Sequence, residues 1–239
     1  NDSKKKIYMH WMYDVPMGEQ LDDDGDSLES IEGCLTDAQY NRDEHRKAVI
    51  DDILDNWVSQ SHNGKFHAIL ATSSIPEAIK YYKLFAQRDC GLKTTAVFDP
   101  SDGNNESSIE KIDGIAQMLE DYNSLFGTCF NISGYASFKR DVCARLAHKT
   151  PYTAVENEPS KCLDILIVVD QMLTGYDSKW LNTLYMDKFY KWSNIEMIIQ
   201  GISRTNRVFN DDKPHGIIRY YRRPYTMKNI IEYAFEQYS

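Results

Sequence analysis

The chain lacks the sequence features of a complete nucleotide-hydrolysing enzyme. None of its 239 residues form a G-x-x-x-x-G-K-[ST] loop, the turn that cradles nucleotide phosphates, or an Asp-Glu-x-His-like box that holds Mg²⁺. If the chain takes part in nucleotide chemistry, another domain must supply the phosphate cradle and the metal ligands. No apolar run approaches the roughly 20 residues that span a bilayer, and no signal peptide is recognisable. We therefore expect a cytoplasmic protein that makes no membrane contact.

Cysteine and histidine are present without the spacing of ligands. The five cysteines are odd in number and form no C-x-x-C pair, so we expect reduced thiols rather than a disulfide framework. The six histidines show no metal-ligand spacing either. The sequence therefore predicts no structural metal. Because the first residue is Asn1 rather than Met, we interpret the chain as a piece of a longer polypeptide.

Basic residues are scarce in the first two thirds of the chain. The net charge is -9, but residues 160–239 contain 11 Lys and Arg against 9 Asp and Glu, and residues 1–159 contain 16 against 27. An acidic run from Glu19 to Glu32 has no basic residue. Its Asp-x-Asp pattern lacks the glutamate of a calcium loop, since Gly33 stands at position twelve from Asp22. This run is predicted to be a solvated, mobile loop. The uneven charge means that the net charge of -9 does not exclude nucleic-acid contacts.

Strand and helix patterns alternate along the chain. Buried strands are predicted at residues 66–71, 93–98, 165–169, within 181–188 and at 216–221, and an edge strand at Lys5 to Tyr13. Helices are predicted near residues 36–59, 74–88, 109–122, 135–148, 194–207 and 225–238. The connections are long enough for right-handed crossovers. The fold class is therefore α/β, with three layers and a mainly parallel central sheet.

Two polar segments follow predicted strands in the last third. Thr174, Gly175 and Asp177 come directly after strand 165–169, and ligand sites of α/β sheets lie beyond the carboxyl ends of strands. In helix 194–207, Gln200, Arg204 and Arg207 lie within roughly 60° of one another at 100° per residue, opposite the isoleucines. A solvated polar face would show the same spacing. Because both polar segments follow the ends of predicted strands, we expect that both face one site.

These residues resemble known motifs. Thr174-Gly175-Tyr176-Asp177 resembles motif V, and Gln200-x-x-x-Arg204-x-x-Arg207 resembles motif VI, of superfamily 2 helicases and translocases. With the intervening Leu-Asn-Thr-Leu-Tyr-Met-Asp-Lys segment, residues 181–188, the string is similar to the restriction (R) subunit of type I restriction-modification enzymes. The close match covers about residues 163–221, and a looser one covers 65–149.

The resemblance implies an organisation and a set of partners. Residues 44–223 would form the second RecA-like motor domain, with a P-loop NTPase-like fold, after an N-terminal extension at 1–43 and before a further helical segment at 224–239. ATP and Mg²⁺ would be bound mainly by the first motor domain, so the isolated chain should bind neither. The implied partners are double-stranded DNA, the first RecA-like domain and nuclease domain of the same subunit, and the methyltransferase and specificity subunits.

The resemblance also implies catalytic roles in ATP hydrolysis. Arg207 would be the arginine finger, Arg204 a second cation at the phosphates, and Gln200 the residue that orders the pair. Gly175 would allow close approach of the backbone to the nucleotide. Asp177 would bind the nucleotide ribose or steady an arginine.

The DNA-binding residues are implied by the same resemblance. Thr72, Ser73 and Ser74, at the start of a helix, correspond to motif IV, where hydroxyls and backbone N–H groups contact a nucleic-acid phosphate. Thr174 would contact the DNA backbone from motif V. A simple helix cap, with Ser74 as N-cap and Pro76 in the first turn, would need only one of these hydroxyls.

Two other interpretations stay open at this point. One is another superfamily 2 motor, such as a chromatin-remodelling-type translocase or an RNA helicase, which the 181–188 segment disfavours. The other is a RecA-like module kept only for protein contacts, with no part in ATP turnover. Retention of both Arg204 and Arg207 argues against the second interpretation.

Overall fold

The fold is built on a five-stranded, all-parallel sheet. In the computed structural model, residues 15–88, 90–98, 108–169, 176–209 and 211–238 are described. The strands are β1 (His67–Thr72), β2 (Thr94–Val97), β3 (Ile165–Val169), β4 (Leu181–Asp187) and β5 (Ile217–Tyr220), in the spatial order β2-β3-β1-β4-β5. The predicted α/β class and parallel sheet are confirmed, whereas the edge strand predicted at Lys5 to Tyr13 lies outside the described residues.

Helices connect the strands and cover the sheet. In the described residues they are α1 (Asp37–Tyr40), α2 (Asp43–Gln60), α3 (Ile75–Gln87), α4 (Ser108–Phe126), α5 (Tyr135–Leu146), α6 (Ile195–Thr205) and α7 (Pro224–Tyr238). Short 3-10 turns occur at Glu32–Cys34, Ile132–Gly134, Val155–Asn157, Pro159–Lys161 and Trp192–Asn194. The architecture is that of a three-layer, RecA-like fold. No described helix is long and apolar enough to cross a membrane.

The core lies along the three central strands. Ile165, Leu166, Ile167 and Val168 of β3 are fully buried, as expected for an apolar strand covered on both faces. Ile167 is paired with Leu70 of β1 on one side and with Ala96 of β2 on the other. The apolar run of β3 therefore specifies a central position in the sheet.

Local signals place the helix ends around β1. After α2, His62, Asn63 and Gly64 adopt left-handed backbone conformations with φ of 50°, 58° and 78°, which stops the helix where Asn63-Gly64 predicted. At the start of α3, the Ser74 hydroxyl accepts the backbone N–H of Glu77 at 3.4 Å, and Pro76 lies in the first turn. The predicted cap is confirmed.

Part of the acidic run packs against α7. Asp22 to Glu29 are exposed or half-buried, and the Asp22 carboxylate accepts backbone N–H groups of Asp24 and Asp26. Glu32 is instead buried, and its carboxylate accepts the N–H groups of Tyr225 and Thr226 at 3.0 and 2.7 Å. A carboxylate stabilises a helix start in this way because the first N–H groups have no partner within the helix. The prediction of a solvated loop is therefore wrong for Glu32.

The terminal helix packs on the sheet domain. Met227, Ile230 and Ala234 of α7 are buried, and the Trp192 and Tyr233 rings meet edge to face at 5.7 Å. The domain boundaries at 43/44 and 223/224 stay predictions.

Candidate nucleotide-facing site

The parallel sheet has two edges with different polar groups. We call the edge where the strands begin the amino edge, and the edge where they end the carboxyl edge. His67 and Leu181, which pair at the start of β1 and β4, mark the amino edge, and Thr72 and Asp187 mark the carboxyl edge. The connection from β3 to β4 must cross from the carboxyl edge to the amino edge, because both strands run in the same direction.

The segment with the candidate aspartate lies at the amino edge. The Tyr176 hydroxyl and His67 Nε2 are 2.8 Å apart, which places Tyr176 beside the first residue of β1. The expectation of a site beyond the carboxyl end of β3 is wrong for Asp177, because the connection has already crossed the sheet when it reaches this residue. Thr174 and Gly175 lie outside the described residues.

Helix α6 brings the arginines to the same edge. It follows the carboxyl end of β4 and returns across the sheet with Ile198 and Ile202 buried, so its last turn reaches the amino edge. Arg204 Nη1 donates a hydrogen bond to the Tyr176 carbonyl. Just beyond the helix, Arg207 Nε lies 2.7 Å from Asp177 Oδ1. The structure thus brings the two predicted segments together.

The two guanidiniums differ in burial. The side chains of Arg207 and Asp177 are 53 % and 50 % exposed. Arg204 is half-buried, and among the described residues its Nε has no hydrogen-bond partner. Burial lowers the pKa of Arg204, Asp177 raises it, and the nearby charge of Arg207 lowers it. A guanidinium stays protonated under these conditions, so the two arginines place two positive charges side by side, and the buried Nε–H of Arg204 has no partner among the described residues.

Gln200 lies one turn before Arg204 on the same helix. It is exposed, and among the described residues no hydrogen bond joins its side chain to either arginine. Its backbone carbonyl accepts the Ser203 hydroxyl at 2.9 Å. Its predicted role in ordering the arginines stays a prediction.

A buried lysine, not predicted from the sequence, supports this edge. The Lys213 side chain is fully buried, and its Nζ donates to the carbonyls of Arg207 at 2.7 Å and Lys179 at 3.3 Å. The backbones of Phe209 and Lys213 exchange both hydrogen bonds of an antiparallel bridge. No sequence signal distinguishes Lys213 from a surface lysine, because its burial depends on this tight return of the chain.

The predicted DNA-contacting hydroxyls lie at the opposite, carboxyl edge. Thr72 is fully buried, and its hydroxyl donates to the Val168 carbonyl at 3.1 Å, so it ties the ends of β1 and β3 together. Ser73 and Ser74 are half-buried. Thr72 therefore has a structural role that the sequence did not reveal, and the two serines are the hydroxyls of this group that solvent reaches.

A buried charge cluster closes the same edge at the end of β4. The Asp187 carboxylate accepts hydrogen bonds from Arg222 Nε and Nη2 at 3.0 and 3.1 Å and from the Tyr81 hydroxyl at 2.9 Å, and it lies 2.7 Å from His45 Nε2. Burial alone would raise the pKa of Asp187, but the hydrogen bonds from His45 and Arg222 lower it below its ordinary value. The cluster joins β4, α2, α3 and the segment after β5.

Comparison with protein families gives a match over residues 64–223, to "Type I restriction enzyme subunit R domain 3". The chain belongs to this family. The match begins just before β1 and ends just before α7. It therefore contains the whole sheet, Arg204 in the last turn of α6 and Arg207 just beyond that helix. The resemblance inferred from the motifs is confirmed.

Individual R-subunit relatives agree with the family match. The chain is 32 % identical over 208 residues, 83 % of its length, to the type I restriction enzyme SsaAORF53P endonuclease subunit of Staphylococcus saprophyticus. It is 30 % identical over 200 residues to the SauCOLORF180P endonuclease subunit of Staphylococcus aureus, covering 80 % of the chain, and 44 % identical over 61 residues, 26 % of the chain, to a putative MjaIXP endonuclease subunit of Methanocaldococcus jannaschii. These alignments cover 21 %, 20 % and 6 % of the relatives. The chain thus spans about a fifth of the length of the first two.

Proposed function

We propose that this domain is the second motor domain of an ATP-dependent DNA translocase within a type I restriction enzyme R subunit. It contributes an arginine finger to an ATPase whose phosphate loop, Mg²⁺ ligands and nuclease lie on other domains. The observation that carries the proposal is the meeting of Asp177, Arg204 and Arg207 at one exposed edge. Family membership supports the proposal, since the relatives are named as restriction enzyme endonuclease subunits.

The arginines fit a polyphosphate ligand. Two neighbouring guanidiniums repel each other, and an anion bound between them would relieve this repulsion. The buried Nε–H of Arg204, which has no partner among the described residues, could then donate a hydrogen bond to that anion. ATP and Mg²⁺, bound mainly by the first motor domain, would supply the γ-phosphoryl group and the neutralising metal charge. Arg207 stabilises the charge of the transferring phosphoryl group, and Arg204 binds as a second cation.

The Asp177 carboxylate positions Arg207 while the edge faces solvent. An exposed ion pair of this kind is worth only about 0–1 kcal/mol, so a phosphate can replace the carboxylate at little cost. Released from Arg207, Asp177 is free to bind the nucleotide ribose. Gly175 would let the backbone approach the nucleotide, and Gln200 would order the arginines.

DNA binding is assigned to the opposite edge. Ser73, Ser74 and the N–H groups at the start of α3 would bind a DNA phosphate at this edge. Thr174, which lies outside the described residues, is proposed as a further contact to the DNA backbone. Thr72 contributes by fixing the end of β1, since its hydroxyl is bonded to Val168. Relative movement of the two motor domains on ATP binding and hydrolysis would then move duplex DNA past the subunit, alongside the methyltransferase and specificity subunits.

The test is Arg207→Lys in the complete subunit, measured as ATP turnover on linear duplex DNA. Lysine keeps the charge but loses the planar fork that binds two phosphoryl oxygens. We expect turnover to fall by about 10³-fold or more, the scale of arginine fingers in phosphoryl transfer. The control is Asn206→Ala, at the exposed neighbouring position, which should leave turnover within about twofold.

Near-normal turnover in Arg207→Lys would contradict the finger role. Combined with unchanged DNA translocation, that result would favour the module kept for protein contacts.

A further inference from the structure

Lys213 is an unusual side chain for a protein interior. A buried ammonium is costly unless it is paired or hydrogen-bonded, and among the described residues Lys213 forms no ion pair. Its two partners are backbone carbonyls, which carry only partial negative charge. Burying Lys213 costs desolvation free energy, so its two hydrogen bonds to backbone carbonyls need an explanation.

The two carbonyls belong to the two segments of the candidate site. Lys179 lies two residues after Asp177, on the segment that leads into β4, and Arg207 is the proposed finger. The Lys213 ammonium therefore connects the backbone that holds the carboxylate to the backbone that holds the guanidinium. It also lies just beyond the end of α6, where a positive charge is favoured by the unpaired carbonyls of a helix terminus.

A second contact limits movement of the same helix end. A Cβ atom on Gly216 would lie 2.5 Å from the carbonyl carbon and oxygen of Thr205, the last residue of α6. Gly216 thus packs backbone against backbone on the end of α6. Three residues earlier, the Lys213 ammonium contacts Arg207 itself.

We propose that Lys213 is a positioning residue for ATP hydrolysis, whose ammonium holds the backbones of Arg207 and Lys179 so that the Arg207 guanidinium points into the nucleotide cleft. This inference rests on the proposed function of Arg207. Lys213 itself touches no nucleotide. Its effect is expected in the catalytic step rather than in ATP binding, because displacement of a catalytic group by about 1 Å can cost about 10²-fold in rate.

The charge on Lys213 provides a readout that a purely structural lysine would lack. Burial and the nearby charge of Arg207 lower the pKa of Lys213 to about 8. The other titratable or charged groups around Phe209 and Lys213 are Arg207 with Asp177, Lys65 with Asp212, the exposed Lys179, Asp211, His215, His62, His67 and His148, which stacks on Trp180. Burial, together with the charges of His148 and Lys213, lowers the pKa of His67 well below its ordinary value. Since the pKa of His67 is lowered well below its ordinary value whereas that of Lys213 is lowered only to about 8, Lys213 is the group expected to titrate there.

The experiment compares Lys213→Met with Lys65→Met in the complete subunit, as DNA-stimulated ATP turnover against ATP concentration and pH. Lys65 is a matched control because it is a partly exposed lysine that pairs with Asp212, next to Lys213 in the chain. We expect Lys213→Met to lower kcat by roughly 10- to 100-fold with KM for ATP unchanged within about twofold, and Lys65→Met to change neither. Wild-type kcat should fall as pH rises through about 8, and this alkaline decline should be absent in Lys213→Met.

The Arg207→Ala background separates the two proposals. If Lys213 acts through Arg207, adding Lys213→Met to Arg207→Ala should cause no further loss of turnover. The residual turnover of Arg207→Ala should also show no alkaline decline. This pH profile of Arg207→Ala can be measured even if Lys213→Met does not fold.

If Arg207→Ala retains full turnover, the proposed function fails. If Arg207→Ala loses turnover while Lys213→Met does not, or if the two losses multiply, only the Lys213 inference is overturned.

Discussion

Each edge of the sheet has an aspartate bound to an arginine, and the two contacts are built very differently. At the carboxyl edge, the side chains of Asp187 and Arg222 are 0 % and 4 % exposed, and His45 and Tyr81 complete the carboxylate's hydrogen bonds. At the amino edge, Asp177 and Arg207 are each about half exposed, with Arg207 Nε 2.7 Å from Asp177 Oδ1. The first contact is inaccessible to any ligand, whereas the second can be opened by one.

This difference separates stability from function. A buried carboxylate with several donors organises the elements around it, and removing it leaves an uncompensated buried charge. An exposed pair contributes little to folding, so its chemistry is free to serve binding. The domain thus has a permanent ionic cluster at one edge and an exchangeable one at the other.

The largest difference between the two edges is expected when each aspartate is neutralised in turn. Asp187→Asn should lower the free energy of unfolding by about 3–5 kcal/mol, because Arg222 then stays buried without its counter-charge. Asp177→Asn should lower it by no more than about 1 kcal/mol. Chemical denaturation of the 239-residue chain measures both. Equal losses would mean that the two pairs do not differ in the way their burial indicates.

A smaller effect is expected at the backbone contact that holds the end of α6. Gly216→Ala should destabilise the chain by about 1–3 kcal/mol, since its Cβ would lie 2.5 Å from backbone atoms of Thr205 that cannot move aside. The matched control is Gly134→Ala, where the nearest atom, Asn131 Oδ1, is 3.4 Å away. The control should change the unfolding free energy by less than about 0.5 kcal/mol. Similar values for both glycines in thermal or urea unfolding would refute the close approach.

The smallest effect is a dependence of stability on pH that comes from the buried Asp187. The pKa of Asp187 is lower in the folded chain than its ordinary value of about 3.9. Its stabilisation is therefore fully present above about pH 4 and is lost as pH falls through the lower, folded pKa. The difference in unfolding free energy between wild type and Asp187→Asn should be constant from about pH 6 to 4 and should shrink as pH falls below about 4, in urea titrations at each pH. A difference that does not shrink below about pH 4 would count against the shift.

Much of the fold follows from local sequence patterns. The apolar run Ile165–Val169 and the cap at Ser74 are confirmed because short buried strands and helix starts depend on residues close in sequence. The convergence of the segment around Asp177 with the end of α6 was also expected, from their positions after strands. The edge of the sheet at which these segments meet was not expected, because it depends on how the β3 to β4 connection crosses the sheet.

The burial of several polar side chains does not follow from the local sequence. Thr72 was assigned to DNA but bonds to Val168, and Lys213 and Glu32 are charged residues that burial hides. The burial of each of these three side chains depends on a segment distant in sequence, such as α7 for Glu32. Residues close in sequence therefore do not predict it.

Single-turnover ATP cleavage measures directly whether the exposed pair at the amino edge serves phosphoryl transfer. The complete subunit, with ATP prebound and mixed with linear duplex DNA, is compared as wild type, Arg207→Lys and Arg219→Lys. Arg219 is the matched control because it also pairs with an aspartate, Asp52, at 2.6 Å, and because it lies in β5, an outermost strand of the sheet. We predict cleavage slower by about 10³-fold or more in Arg207→Lys and within about twofold of wild type in Arg219→Lys. Cleavage by Arg207→Lys at the wild-type rate would contradict the account.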